Sequence, residues 1–181
     1  MAEQSGSRLP LLEPQDMTPA QREVYERFTA PRPNGTRPKG TPYRITLHWP
    51  EFTGLWFQTG ETLRKQGQLP ASLSELVILM AVSHWQCEHA MGTHAMAARN
   101  KGLPESIVSA VLRGQRPEGM DAAQAAIHDY CNELQISHKV SAASHDAVLR
   151  QFGPFGIVEL TAVLGYYTMV AMTLNANSAA D

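Results

Sequence analysis

The chain has 181 residues, a formal net charge of −2 and an ordinary share of apolar residues. That length suits one domain with a real core, and the weak charge gives no reason to expect nucleic acid or an anionic membrane surface as a partner. The polar N-terminus lacks the apolar centre of a signal peptide, and Cys87 and Cys131 lie too far apart in sequence to suggest a disulfide scaffold, so a cytoplasmic setting is expected.

In chain order, residues 1–17 read as an extended arm. Thr18-Pro19-Ala20-Gln21 then carries the marks of a helix start, with Thr18 as N-cap, Pro19 at the first helical position and Gln21 closing a capping box. That helix is expected to run to about Phe28. Residues 31–42 hold four prolines and two glycines with a basic bias, which excludes regular structure. The segment is either a solvated connector or a lid or anion-attracting rim. The expected domain division is 1–44 for arm, helix and loop, and 45–181 for a helical domain.

A helix is expected over 50–66, followed by a turn at Gly67 and Pro70. Residues 73–85 are apolar nearly all round, which for a helix means burial on every side. Residues 87–100 form the next helix, closed by Asn100-Lys101-Gly102. Pro104 opens a third, Asp121 caps a fourth, Ser141 caps a fifth that ends near Phe152, and residues 155–176 form the last. The stretch 157–174 is apolar but carries Glu159, lacks basic anchors and falls short of a bilayer span, so it reads as a core helix and no membrane partner is expected. No segment alternates with period two. The expected fold is therefore all-α, a compact multi-helix bundle.

Leu73-Ser74-Glu75-Leu76-Val77 also lines up with Ile157-Val158-Glu159-Leu160-Thr161. Each copy sets one carboxylate near the start of an apolar helix, which suggests a pseudo-repeated helical hairpin. Glu75 has only apolar wheel neighbours, Ile78, Leu79 and Val82. A buried carboxylate there costs several kcal/mol unless partnered. It is either a structural residue, capping a helix or pairing with an arginine, or part of a site.

Cys87-Glu88-His89-Ala90-Met91-Gly92-Thr93-His94 places four reactive side chains within two helical turns. Cys87, Met91 and His94 share a face, and a cysteine in a first helical turn is expected to be drawn towards thiolate by the helix N-terminus. Cys87, His89 and His94 span ~10 Å and diverge, so no metal site is expected. On one straight helix Glu75 would lie ~18 Å from Cys87. If the chain doubles back near 84–86, Glu75 instead passes beside His94.

These residues resemble the carboxymuconolactone decarboxylase/alkylhydroperoxidase D-like family. One branch carries Glu, eleven residues, Cys-x-His-Cys, three residues and His; Glu75, Cys87, His89 and His94 match, and Ala90 stands where the second cysteine would be. A second branch carries Cys-Glu-Tyr-Glu-Trp-x-x-His, matched here by Cys87-Glu88 and His94 only. The flanks at 73–79 and 95–104 and the ending Leu164-Gly165-Tyr166-Tyr167 to Asn175 fit as well.

The resemblance implies homo-oligomers, trimers or hexamers, and a small-molecule substrate. In the peroxidase branch the second cysteine attacks the peroxide and the first resolves the product, so Ala90 breaks the two-cysteine cycle. The decarboxylase branch is implied to need no cofactor. The expected function is thus a lyase or isomerase acting by acid–base chemistry on a small cyclic carboxylate or lactone-like compound. Its expected catalytic residues are His94, Glu75 and Cys87, with Glu88, His89 and Tyr166 as substrate contacts. A hydroperoxide reductase using Cys87 with an external thiol, and a non-catalytic oligomeric binding module, are the alternatives.

Overall fold

The computed structural model describes residues 7–31 and 40–178, so residues 32–39 of the Pro/Gly-rich segment lie outside the described residues. Among the described residues the regular secondary structure is helical, with one isolated bridge between Ser7 and Ser178. The chain divides into two compact units, residues 1–65 with 173–181, and residues 66–172. The division expected at 44/45 and this one place residues 45–65 and 173–181 differently.

The first unit holds helices α1 (Pro19–Thr29), α2 (Thr41–Thr46) and α3 (Pro50–Gln66). Thr18 and Gln21 form the expected capping box, which satisfies two backbone N–H groups at the start of α1. α2 departs from the sequence reading, which had Thr41 and Pro42 in an irregular loop. Gly40 takes a left-handed φ of 64° and Pro42 sits in the first turn, so the chain enters a helix there. Met17, Val24, Phe28 and Leu47 form a buried cluster, joined by Leu12, Tyr25, Tyr43 and Phe57. Fully buried Thr53 donates to the carbonyl of Thr46 at 2.6 Å, tying the end of α2 to the first turn of α3.

The second unit holds α4 (Ala71–His84), α5 (Glu88–Asn100), α6 (Glu105–Leu112), α7 (Ala122–Ser137) and most of α8 (Ala142–Asn177). α4 is its centre and packs against α5, α6 and α7. Leu76, Val77, Leu79, Ala81 and Val82 are all 0% exposed, which accounts for an apolar sequence with no polar face. Fully burying one such leucine stabilises the unit by about 2 kcal/mol. Asp121 and Gln124 form a second capping box at α7. α8 joins the two helices expected from the sequence in one run, bent at Gly153, where φ is 66° and ψ is −173°. Glycine adopts that conformation without a Cβ clash, and Pro154 restarts the helix.

The link between α4 and α5 decides the site. Trp85, Gln86 and Cys87 reverse the chain, with Gln86 at a φ of 49°. The N–H of Gln86 donates to Ser83 O at 3.0 Å and that of Cys87 to Val82 O at 2.9 Å, closing α4 within one tight turn. α5 must then run back along α4.

Candidate active site

The doubling back brings Glu75 and His94 together. His94 Nδ1 donates to Glu75 Oε2 at 2.8 Å, across 19 residues of sequence. Glu75 is 4% exposed, yet its carboxylate is fully engaged, because Lys101 Nζ donates to Oε1 at 2.6 Å. Burial pushes the Glu75 carboxyl up, but the hydrogen bonds from His94 and then Lys101 outweigh it and hold the group below its ordinary range. Glu75 is thus an ionised hub between an imidazole and an ammonium. Since Nδ1–H faces the carboxylate, the lone pair or second proton of His94 sits on Nε2. The His94 side chain remains one-fifth exposed, and the Tyr167 ring meets it edge-on, 5.1 Å between centroids at 82°.

Lys101 was read from the sequence only as part of a helix ending. It is the C-cap of α5, seven residues after His94 and so two turns along the same face. That spacing is the signal that could have found it. The two donors to Glu75 thus come from α5 and its C-cap, and the carboxylate from the first turns of α4.

Cys87 behaves differently from the sequence expectation. It is the N-cap of α5, 1% exposed, with no side-chain capping bond. Burial pushes its thiol up despite a contact with the Ala90 N–H, so desolvation overrides the helix end and the thiolate is disfavoured. Ala90 is itself buried, at 6% exposure, rather than opening a space beside His94. Cys131 is fully buried and its thiol is also raised.

Glu88 and His89 stand exposed at the start of α5. They sit about 120° and 140° around the helix from His94, so the structure does not bring them to the pair. Tyr166 is buried, at 6% exposure, with its ring 5.4 Å from that of Tyr167. It is Tyr167 that reaches His94. Among the described residues no group of three or more His, Cys, Asp or Glu could hold a metal ion.

The pseudo-repeat is real in position and divergent in chemistry. Glu159, 6% exposed, accepts from the backbone N–H groups of Gln68 at 2.9 Å and Leu69 at 3.1 Å. One buried carboxylate has become a backbone clamp, the other a partner to titratable side chains. A separate cavity of about 430 Å³ lies at the ends of α4 and α6, and neither Glu75 nor His94 lines it.

Residues 50–128 match the model of the carboxymuconolactone decarboxylase family. The fold resembles a crystal structure described as an alkylhydroperoxidase core, an uncharacterized peroxidase-related protein from Ralstonia eutropha. That likeness has a TM-score of 0.72 at 20% sequence identity and covers 94% of this chain and 90% of the other. No curated protein sequence matches. The Glu75–His94 hairpin lies inside the span that matches the carboxymuconolactone decarboxylase family model, and the all-helical fold is similar to that of the peroxidase-related structure.

Proposed function

We propose that the protein is a cofactor-independent lyase or isomerase that moves protons next to a carbonyl on a small cyclic carboxylate or lactone-like compound. The observation that carries this reading is the carboxylate of Glu75 held between His94 Nδ1 and Lys101 Nζ. A carboxylate on Nδ1 orients the ring and fixes Nε2 as the atom that exchanges a proton with substrate. For decarboxylation, the carbon–carboxylate bond breaks, its electron pair delocalises onto the adjacent carbonyl and carbon dioxide leaves. His94 Nε2–H then protonates the carbanion-like carbon and is reprotonated from solvent. For isomerisation, neutral Nε2 takes a proton from one carbon and returns it to another.

Lys101 adds a function that the sequence reading lacked. Its side chain is 42% exposed, so its ammonium can meet a substrate carboxylate while remaining paired with Glu75. The test is turnover by the wild type and by His94→Ala on a panel of cyclic β-keto acids and unsaturated lactones. Loss of about 10²-fold or more in the variant supports the reading. A wild type inert to the whole panel, or a variant as active as the wild type, defeats it.

A peroxide-reducing reading draws support from the peroxidase-related description of the structural neighbour. It would run through Cys87, which is buried with a raised thiol, and through position 90, which is alanine. The geometry favours acid–base chemistry over it. Replacing Cys87 by Ser and following hydroperoxide consumption with an added thiol separates the two.

We also infer that copies of the chain associate through α8. Phe155, Val158 and Met172 are 47%, 69% and 47% exposed and share a helical stripe with Ala162 and Gly165. Light scattering that gives the mass of one chain at micromolar concentration would exclude this.

A further inference from the structure

The cavity of about 430 Å³ is built from the ends of α4 and α6, one face of α7 and the start of α8. Its charge is set by the fold. Both α4, ending at His84, and α6, ending at Leu112, bring their C-terminal turns to it, each carrying about half a negative charge. Asp129 and Glu133 add two carboxylates to the lining. Burial raises the Asp129 carboxyl, but hydrogen bonds from Arg116 and His128 overcome that, and Ser144 and Ser141 hold Glu133 low. Arg116 is the single Lys or Arg in the lining, and its Nε and Nη2 donate to Asp129 at 3.1 and 3.0 Å, which turns the guanidinium towards that carboxylate.

Two groups in this cavity have hydrogen-bonding capacity in hand. His128 is only 6% exposed, and its Nδ1 donates to Asp129 Oδ1 at 3.0 Å. With Nδ1 committed to Asp129, Nε2 is the ring nitrogen left to meet a ligand, and no described residue bonds it. Ser83 Oγ is buried and has no hydrogen-bond partner among the described residues. A buried polar atom left unmatched costs about 1–3 kcal/mol, so a residue choice of this kind is stable where something else completes it. Met80 and Ile136 supply an apolar wall beside these groups.

We propose that this cavity binds a small organic ammonium ion, a primary amine on a short alkyl chain. Its N–H groups donate to His128 Nε2 and Ser83 Oγ, its positive charge faces Asp129, Glu133 and the two helix ends, and its chain lies on Met80 and Ile136. An anion would meet those carboxylates and helix ends unfavourably. The volume falls in the range of small-ligand sites. None of these residues belongs to the Glu75–His94 pair.

The test is calorimetric titration of the full chain with butylamine at neutral pH, beside Ser83→Ala, His128→Gln and Glu75→Gln. Ser83→Ala removes a hydroxyl with no partner and so spares the fold. Saturable binding by wild type and Glu75→Gln, weakened about tenfold in Ser83→Ala and at least as much in His128→Gln, is expected. Absence of binding at millimolar amine, binding unchanged in Ser83→Ala, or saturable binding of inorganic phosphate in this cavity would each overturn the proposal.

Discussion

Replacing Glu75 by Gln keeps the shape of the side chain and removes its charge. In the wild type that charge is 4% exposed and receives two hydrogen bonds from groups that are cationic or become so. Breaking a fully buried pair costs about 3–5 kcal/mol. Here both partners can turn partly to water, since the side chain of His94 is 20% exposed and that of Lys101 42%. The cost is therefore nearer 2 kcal/mol, the range of a lost charged hydrogen bond. For a chain of this size about 2 kcal/mol corresponds to a drop of roughly 4–8 °C in Tm. The sign with pH follows from the lowered Glu75 carboxyl. A carboxyl held low in the folded state stabilises at pH above its unfolded value and loses that contribution as pH falls through its folded value. The gap between wild type and Glu75→Gln should be full above the ordinary carboxylate range and shrink below it. Urea unfolding from neutral to acid pH measures this directly. A variant as stable as wild type at neutral pH, or a gap that widens on acidification, would refute the reasoning.

Lys101→Met takes a donor from the buried Glu75 carboxylate and should destabilise by about 1–3 kcal/mol in the same assay. It should also raise KM for a carboxylate substrate more than it lowers kcat. Glu159→Ala strips the acceptor from the Gln68 and Leu69 N–H groups and should cost about 1–3 kcal/mol while sparing turnover, checked by unfolding and activity side by side. A thiol-specific chromogenic reagent should leave both buried cysteines unreacted in the native protein and titrate two thiols per chain after denaturation. Gln86→Gly relieves the positive φ of the α4–α5 turn and should be neutral to about 1 kcal/mol stabilising by equilibrium unfolding.

Local signals made the helices legible. Thr18 with Gln21 announced one helix start and Asp121 another, and the structure completes a capping box at each, the second with Gln124. The meeting of Glu75 and His94 was also readable, because a hairpin at 84–86 is the one arrangement that brings them together. Lys101 was not, because a residue that ends a helix has a sufficient local explanation. Cys87 was misjudged for a physical reason: sequence shows the helix end that favours thiolate, while the burial that opposes it comes from tertiary packing. α2 was hidden by prolines that, in a first turn, start helices as well as break them. The cavity away from the Glu75–His94 pair draws on residues 80 to 144 from four helices, a grouping that no motif spacing reveals.

Proton exchange at carbon, followed by NMR in deuterium oxide, tests the proposed chemistry most directly. On a cyclic β-keto acid or unsaturated lactone, the wild type should place one solvent deuteron at the carbon next to the carbonyl. Cys87→Ser should do the same, and His94→Ala should be slower by about 10²-fold or more. Deuteration that survives in His94→Ala, or that disappears in Cys87→Ser alone, would contradict an acid–base site built on Glu75 and His94.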